Sequence, residues 1–359
     1  MARCGPHTDR WAPLRACASW HCLALALLIP GQARAQTGTL IVLNKAEATA
    51  SLIDLASGRA VATLATGDGP HEVAVSPDGR RAVTSNYGGT TPGHTLTVLD
   101  LRRRAVARTV ELGGHLRPHG MAWTRDGRRL LVTSEASRVL LVLDARRWVL
   151  ERAIGTDALP THMVAVSPDG RRAWAASIQA GRVVALDLAR DTAVATADAC
   201  AGSEGIAASP DGREVWVACR AANLVAALDA ATLRLLDTLP SSDFPIRVRF
   251  MPDGRRVLVS NARSGEVRVF DARARRPVAT VAIPYDASRA VTTMLGAQFA
   301  GSALPIGVLA TPDGRFAYVA ASAMGEVLEL DPEAGTILRR FQTGREPDGL
   351  GFSPLGRLR

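Results

Sequence analysis

One short turn comes back seven times along this chain, and it limits the possible folds more than any other feature. The copies are Ser76-Pro77-Asp78-Gly79, Thr124-Arg125-Asp126-Gly127, Ser167-Pro168-Asp169-Gly170, Ser209-Pro210-Asp211-Gly212, Met251-Pro252-Asp253-Gly254, Thr311-Pro312-Asp313-Gly314 and Ser353-Pro354-Leu355-Gly356. Successive copies start 48, 43, 42, 42, 60 and 42 residues apart. Proline pre-sets φ at the first central position, aspartate bonds nearby backbone and glycine accepts positive φ, so each copy reads as a tight hairpin turn. An apolar run such as Val73-Ala74-Val75 precedes it and a strand such as Ala82-Val83-Thr84 follows. Two further Val-, Thr- and Leu-rich strands complete the unit, as in Arg182 to Leu188 and Thr192 to Ala197. A repeat of this length with four strands is the mark of a propeller blade.

The ends of the chain predict how the ring shuts. Residues 39–66 carry three strands with no inner strand before them, and Gly349 to Phe352 supplies the missing one. The expected fold is an all-β, seven-bladed propeller of four-stranded blades, closed by pairing of the N- and C-terminal segments. Closure is required because each sheet must bury both of its faces against its neighbours.

Residues 1–35 differ from the rest. Arg3, Arg10 and Arg15 precede the apolar run Leu23 to Ile29, which is followed by Pro30 and the triplet Ala33-Arg34-Ala35. This is the pattern of a secretory signal cleaved before Gln36, leaving 36–359 as a single propeller in the periplasm or outside the cell. The run is too short to span a bilayer, and no later stretch reaches the ~20 apolar residues that a span needs. Without residues 1–35 the formal charge falls from +9 to +6. Arginine pairs such as Arg80-Arg81, Arg128-Arg129, Arg171-Arg172 and Arg255-Arg256 recur once per unit instead of forming a stripe, which argues against a nucleic-acid partner. The expectation is a monomer that meets a small ligand or an envelope protein.

Phrases such as Pro70-His71-Glu72-Val73-Ala74-Val75-Ser76-Pro77-Asp78-Gly79 and Pro210-Asp211-Gly212-Arg213-Glu214-Val215-Trp216-Val217-Ala218 resemble the YVTN-type propeller repeat. The resemblance runs over the whole of 36–359. It implies the scaffold, and a range of roles that includes exported binding proteins, lactonases, lyases and redox-enzyme propellers.

Five residues before each tetrad the chain reaches the inner strand at one mouth of the channel. The occupants are His71, His119, His162, Glu204, Ile246, Ile306 and Asp348. Three imidazoles and a carboxylate on consecutive blades are what one divalent transition-metal ion would require, so His71, His119, His162 and Glu204 are the candidate metal ligands. Arg247 and Asp348 add opposite charges, Arg247 suiting an anionic substrate. His94 and His115 lie in loops on the same face. The alternative reading is that these histidines bond carbonyls of adjoining blades.

The spacing of 60 marks an extra segment of about eighteen residues between Ala282 and Pro305. It is expected over the same mouth, with Tyr285 and Asp286 as ligand contacts and a short helix through Val291 to Phe299. Cys200 and Cys219 are expected to pair if their Cα atoms come within ~7 Å. Trp123, Trp174 and Trp216 read as inter-blade core.

Three functions compete. The first is an exported binding protein with a ligand or metal site at the channel mouth. The second is a metal-assisted lactonase- or lyase-type enzyme acting on a small anionic substrate, with Glu135 or Glu72 as base. The third is an interaction module of a cell-envelope redox or transport system.

Overall fold

A computed structural model describes residues 36–157 and 159–356. The expected secretory signal and its cleavage site at 1–35 lie outside the described residues. From Thr39 to Ser353 the chain forms seven four-stranded antiparallel sheets arranged in a ring. We number the blades from the one that joins both ends of the chain. The inner strands of blades two to seven are Pro70–Val75, Pro118–Trp123, Val164–Val166, Ser203–Ala208, Pro245–Phe250 and Pro305–Ala310. Blade one takes its inner strand, Pro347–Ser353, from the end of the chain. That strand pairs antiparallel with Thr39–Asn44, with Leu40 opposite Phe352 and Val42 opposite Leu350. Ser353 Oγ also donates to the Gly79 carbonyl of blade two at 2.6 Å, tying the seam to the next blade.

The tetrads close the inner hairpins. In blade two, Ser76 Oγ donates to Asp78 Oδ1 at 2.6 Å and accepts from the Arg81 amide at 3.0 Å, while Asp78 Oδ1 also accepts from the Arg80 amide. The hydroxyl is therefore the hub of the turn and the aspartate its outer clamp. The outer hairpin at the same end of each blade carries a second recurring aspartate, at 54, 100, 144, 187, 229, 271 and 331. Asp144 Oδ1, for example, accepts the amides of Arg146 and Arg147.

The core lies between blades, as the folding of a closed ring demands. Trp174 and Trp216 are fully buried, and Trp123 donates its indole N–H to the Ala74 carbonyl of the preceding blade at 3.1 Å. Glycine allows the inner strands to crowd the axis where it follows a ring residue. A Cβ on Gly120 would lie 2.7 Å from the His162 carbonyl oxygen, and one on Gly349 would lie 2.6 Å from that of His71. At the corresponding positions of blades two, four and six stand Glu72, Met163 and Arg247, which project side chains instead. Among the described residues no helix is long and apolar enough to cross a membrane.

Candidate functional site

The seven ring positions divide into two arcs. Asp348, His71, His119, His162 and Glu204 follow one another on blades one to five, and Ile246 and Ile306 occupy blades six and seven. A second ring, which sequence reasoning did not assemble, stands eleven residues after the start of each tetrad, where the second strand ends. It holds Tyr87, Glu135, Ile178, Arg220, Ala262 and Ser322, with Lys45 at the matching place in blade one. The two rings meet at the same mouth, where Lys45, Glu135 and Arg220 of the second bond Asp348, His162 and Glu204 of the first.

Tyr87 donates its hydroxyl to Glu135 Oε2 at 3.0 Å, and the same oxygen lies 3.1 Å from His162 Nδ1. His162 Nε2 faces Glu204 Oε1 at 3.6 Å. Glu204 accepts from Arg220 at 2.7 Å and from Arg247 at 3.0 Å. Arg247 then reaches across the channel to blade two, giving Nη2 and Nε to Glu72 Oε1 at 2.6 and 3.1 Å. Blades two and six stand nearly opposite in the ring, so this ion pair is a bar across the channel. On blade one Lys45, the only lysine of the chain, is buried and donates to Asp348 Oδ2 at 3.1 Å.

The imidazoles differ in basicity because their neighbours differ. Burial alone would discharge His162, but Glu135 and Glu204 on either side outweigh it and raise its pKa above the ordinary value. Burial would likewise raise Glu204, yet its contact with His162 and the charges of His162, Arg247 and Arg220 bring it down to about 2. His71 has no carboxylate on its ring nitrogens. Burial, reinforced by the Lys45 charge, lowers it to about 4. Its Nδ1 lies 2.8 Å from the Gly69 carbonyl, which can only accept, so Nδ1 holds the proton and Nε2 keeps a lone pair. His119 is lowered well below its ordinary value by burial and by the flanking His162 and His71. It lies between its neighbours, with ring centroids 3.5 Å from His162 and 5.2 Å from His71, and Tyr87 meets it edge-on. Burial pushes the Asp348 carboxyl up, but Lys45 foremost holds it below the usual range.

Among the described residues, two buried atoms of this cluster have no partner. His119 Nδ1 and Asp348 Oδ1 are buried and make no hydrogen bond. An unmet buried polar group costs about 1–3 kcal/mol.

The ligand set expected from sequence is therefore gathered at one mouth, but its donors are engaged elsewhere. His71 Nδ1 is held by a carbonyl, both nitrogens of His162 face carboxylates, and Glu204 serves two arginines. Among the described residues, no three His, Cys, Asp or Glu side chains are placed to hold a metal ion. Arg247, expected as an anchor for an anionic substrate, is committed to Glu72 and Glu204. His94 is exposed and faces Glu111 at 3.4 Å. His115 is half-buried, its amide donating to the Leu112 carbonyl. Neither bonds a ring residue. Cys200 and Cys219 form a disulfide with Cα atoms 5.7 Å apart, stapling the segment that presents Glu204 and Arg220.

The extra segment does lie over this mouth, above the other arc. Phe299 is buried edge-on against Phe244, with ring centroids 4.9 Å apart. Together with Leu304, Ala262 and Ala323 they form one apolar cluster with Ile246 and Ile306. The Val291 amide donates to the Ala323 carbonyl at 2.9 Å, and the Met294 amide to Glu346. The helix expected through Val291 to Phe299 is only a 3-10 turn, Ala297–Phe299, because Gly296 before it adopts φ 76°. Tyr285 stays exposed, and Asp286 Oδ1 is occupied by the amide and hydroxyl of Ser288.

A family profile described as YNCE-like beta-propeller matches residues 12–196, just over half of the chain. The chain belongs to the YNCE-like β-propeller family. A second profile, lactonase 7-bladed beta-propeller, matches residues 191–277, the stretch that carries Glu204, Arg220 and Arg247. Among solved structures this YNCE-like propeller is similar to Kuenenia stuttgartiensis hydrazine synthase, at 21% identity and a TM-score of 0.64, covering 78% of this chain and 88% of that one. It is also similar to a functionally unknown protein from Desulfotomaculum acetoxidans DSM 771, at 14% identity and a TM-score of 0.71, covering 88% and 99%. At these identities the likeness concerns the fold alone. No curated protein matches the chain.

Proposed function

We propose that this YNCE-like propeller is an exported binding protein that takes a small molecule rich in hydrogen-bond donors at the polar arc of its mouth. One observation carries the reading. In a cluster where nearly every polar atom is paired, His119 Nδ1 and Asp348 Oδ1 are buried without partners, and His71 Nε2 offers a lone pair on the blade between them. An ionised carboxylate accepts, and so does His119 Nδ1 with the imidazole proton on Nε2, so hydroxyl or amino groups of a ligand complete them. The charged network behind them holds these acceptors in place without offering a free charge of its own. The Cys200–Cys219 disulfide supports an oxidising compartment outside the cytoplasm.

The test is to purify the mature protein from the periplasm under native conditions, denature it and identify retained small molecules by mass spectrometry. Wild type is expected to release a polyhydroxylated or amino compound that His119→Leu does not retain. The same yield from both proteins overturns the reading.

A second reading rests on the partial lactonase match, which spans the segment holding Glu204 and Arg247. Here His162, whose pKa two carboxylates raise, would when protonated donate a proton to a leaving oxygen. Lactone hydrolysis lost in His162→Gln supports it, and hydrolysis unaffected by that change removes it.

A further inference from the structure

Beyond the Glu72–Arg247 bar the channel continues as a lumen of about 470 Å³ that runs to Pro210, Pro252 and Pro312 of the turn tetrads at the opposite mouth. Its wall is formed by the inner strands, and the only charged residues lining it are Glu72, Arg247 and Arg249. The first two cancel, since Glu72 Oε1 accepts two N–H groups of Arg247, whose remaining Nη1 goes to Glu204. Arg249 is two residues further along the same strand and so shares the face of Arg247. Its side chain is exposed to the lumen, and among the described residues it makes no hydrogen bond and no ion pair. Burial deep in the ring pulls its pKa down, only partly offset by Glu72. A guanidinium does not shed its proton at ordinary pH, so the charge persists uncompensated. Around it the wall is a mixture of inner-strand backbone polar groups and apolar side chains, with Met121, Trp123, Met163, Phe250 and Phe352 among the lining residues.

A lone cation in a chamber of ligand size that also presents apolar side chains is a recognition device, because the charge selects an anion and those side chains select its body. A bare inorganic ion would leave most of the volume and the apolar wall in contact with water.

We propose that the lumen is a second binding pocket, distinct from the polar arc, for a small organic carboxylate with an apolar body. The carboxylate pairs with the Arg249 guanidinium through charge-assisted hydrogen bonds, and the body lies along the Met121, Met163 and Phe250 wall. The ligand enters through the tetrad mouth, because the Glu72–Arg247 bar crosses the other side.

Calorimetric titration of the mature protein with 2-naphthoate, with 2-naphthalenemethanol as the uncharged control, tests this. Wild type is expected to bind the carboxylate at least tenfold more tightly than the alcohol. Arg249→Gln should remove that preference, leave the affinity for the alcohol unchanged and melt no lower than wild type, since it deletes an unpaired charge. Arg249→Lys should keep part of the preference, and His119→Leu all of it, which separates this pocket from the polar arc. No binding of 2-naphthoate by wild type overturns the proposal. So does equal affinity for acid and alcohol, or undiminished 2-naphthoate binding by Arg249→Gln. Sulfate competing as strongly as 2-naphthoate overturns the assignment of an apolar body.

Discussion

The two arcs of the mouth are built on the same repeat and solve opposite problems. Across blades six and seven the ring residues are Ile246 and Ile306, and the extra segment lays Phe299 over them as a lid. Across blades one to five the ring residues are ionisable, no comparable segment covers them, and a second ring of Lys45, Tyr87, Glu135 and Arg220 braces them from the side. Where the scaffold needs only closure it uses apolar burial, which is non-directional and leaves nothing to bind. Where it keeps imidazoles and carboxylates it must pair each one, and among the described residues it leaves two buried atoms, His119 Nδ1 and Asp348 Oδ1, without a partner.

This contrast breaks first at the bar. Arg247→Ala strips Glu72 of its only cation and Glu204 of one of its two arginines, and should cost about 3–5 kcal/mol of stability. Urea unfolding of the mature protein measures it, and a loss within 1 kcal/mol would mean that the pair is solvated. Phe299→Ala tests the apolar arc by opening a cavity under the lid, at about 3 kcal/mol. The same unfolding assay should show that loss while retention of the polar-arc ligand is unchanged.

Acid sharpens the comparison further. His71 and His119 are lowered in the folded protein, so the unfolded chain binds more protons between pH 6.5 and about 4. Stability should therefore fall as pH drops through that interval, by about 3 kcal/mol from His71 alone, with His119 adding in the same sense. His162 is raised and works in the opposite sense, adding stability below pH 6.5 that is lost as pH climbs through its folded value. Urea midpoints across pH 4 to 8 should pass through a maximum near neutrality, and His119→Leu should flatten the acid limb. The smallest effect is on His119 itself. Its Nδ1 makes no hydrogen bond, so His119→Leu should change stability at pH 7 by less than about 1 kcal/mol while abolishing ligand retention.

Much of this was legible in the residues. The tetrads carry their own turn chemistry and count the blades, and the three strands of residues 39–66, with no inner strand before Leu40 to Leu43, point to Gly349–Phe352 as their sheet's missing inner strand. Counting five residues back from each tetrad found the first ring. Counting eleven forward would have found the second, whose Lys45 is conspicuous as the one lysine in a chain whose other basic residues are arginine. What could not be read was commitment. Glu72 and Arg247 are 175 residues apart and meet only because blades two and six face each other across the axis. The spacing placed Arg247 near the mouth but gave no sign that two carboxylates already neutralise it. The unpaired cation two residues later, Arg249, is distinguished from it only by what each side chain reaches.

A crystallographic fragment screen on the mature protein at pH 7, using small neutral alcohols, amines and amides, tests the central claim most directly. Fragments that donate a hydrogen bond should collect at the polar arc, within bonding distance of His119 Nδ1 or Asp348 Oδ1, with none on the Ile246–Ile306 side beneath Phe299. Fragments absent from the polar arc, or gathered under the lid, would contradict it.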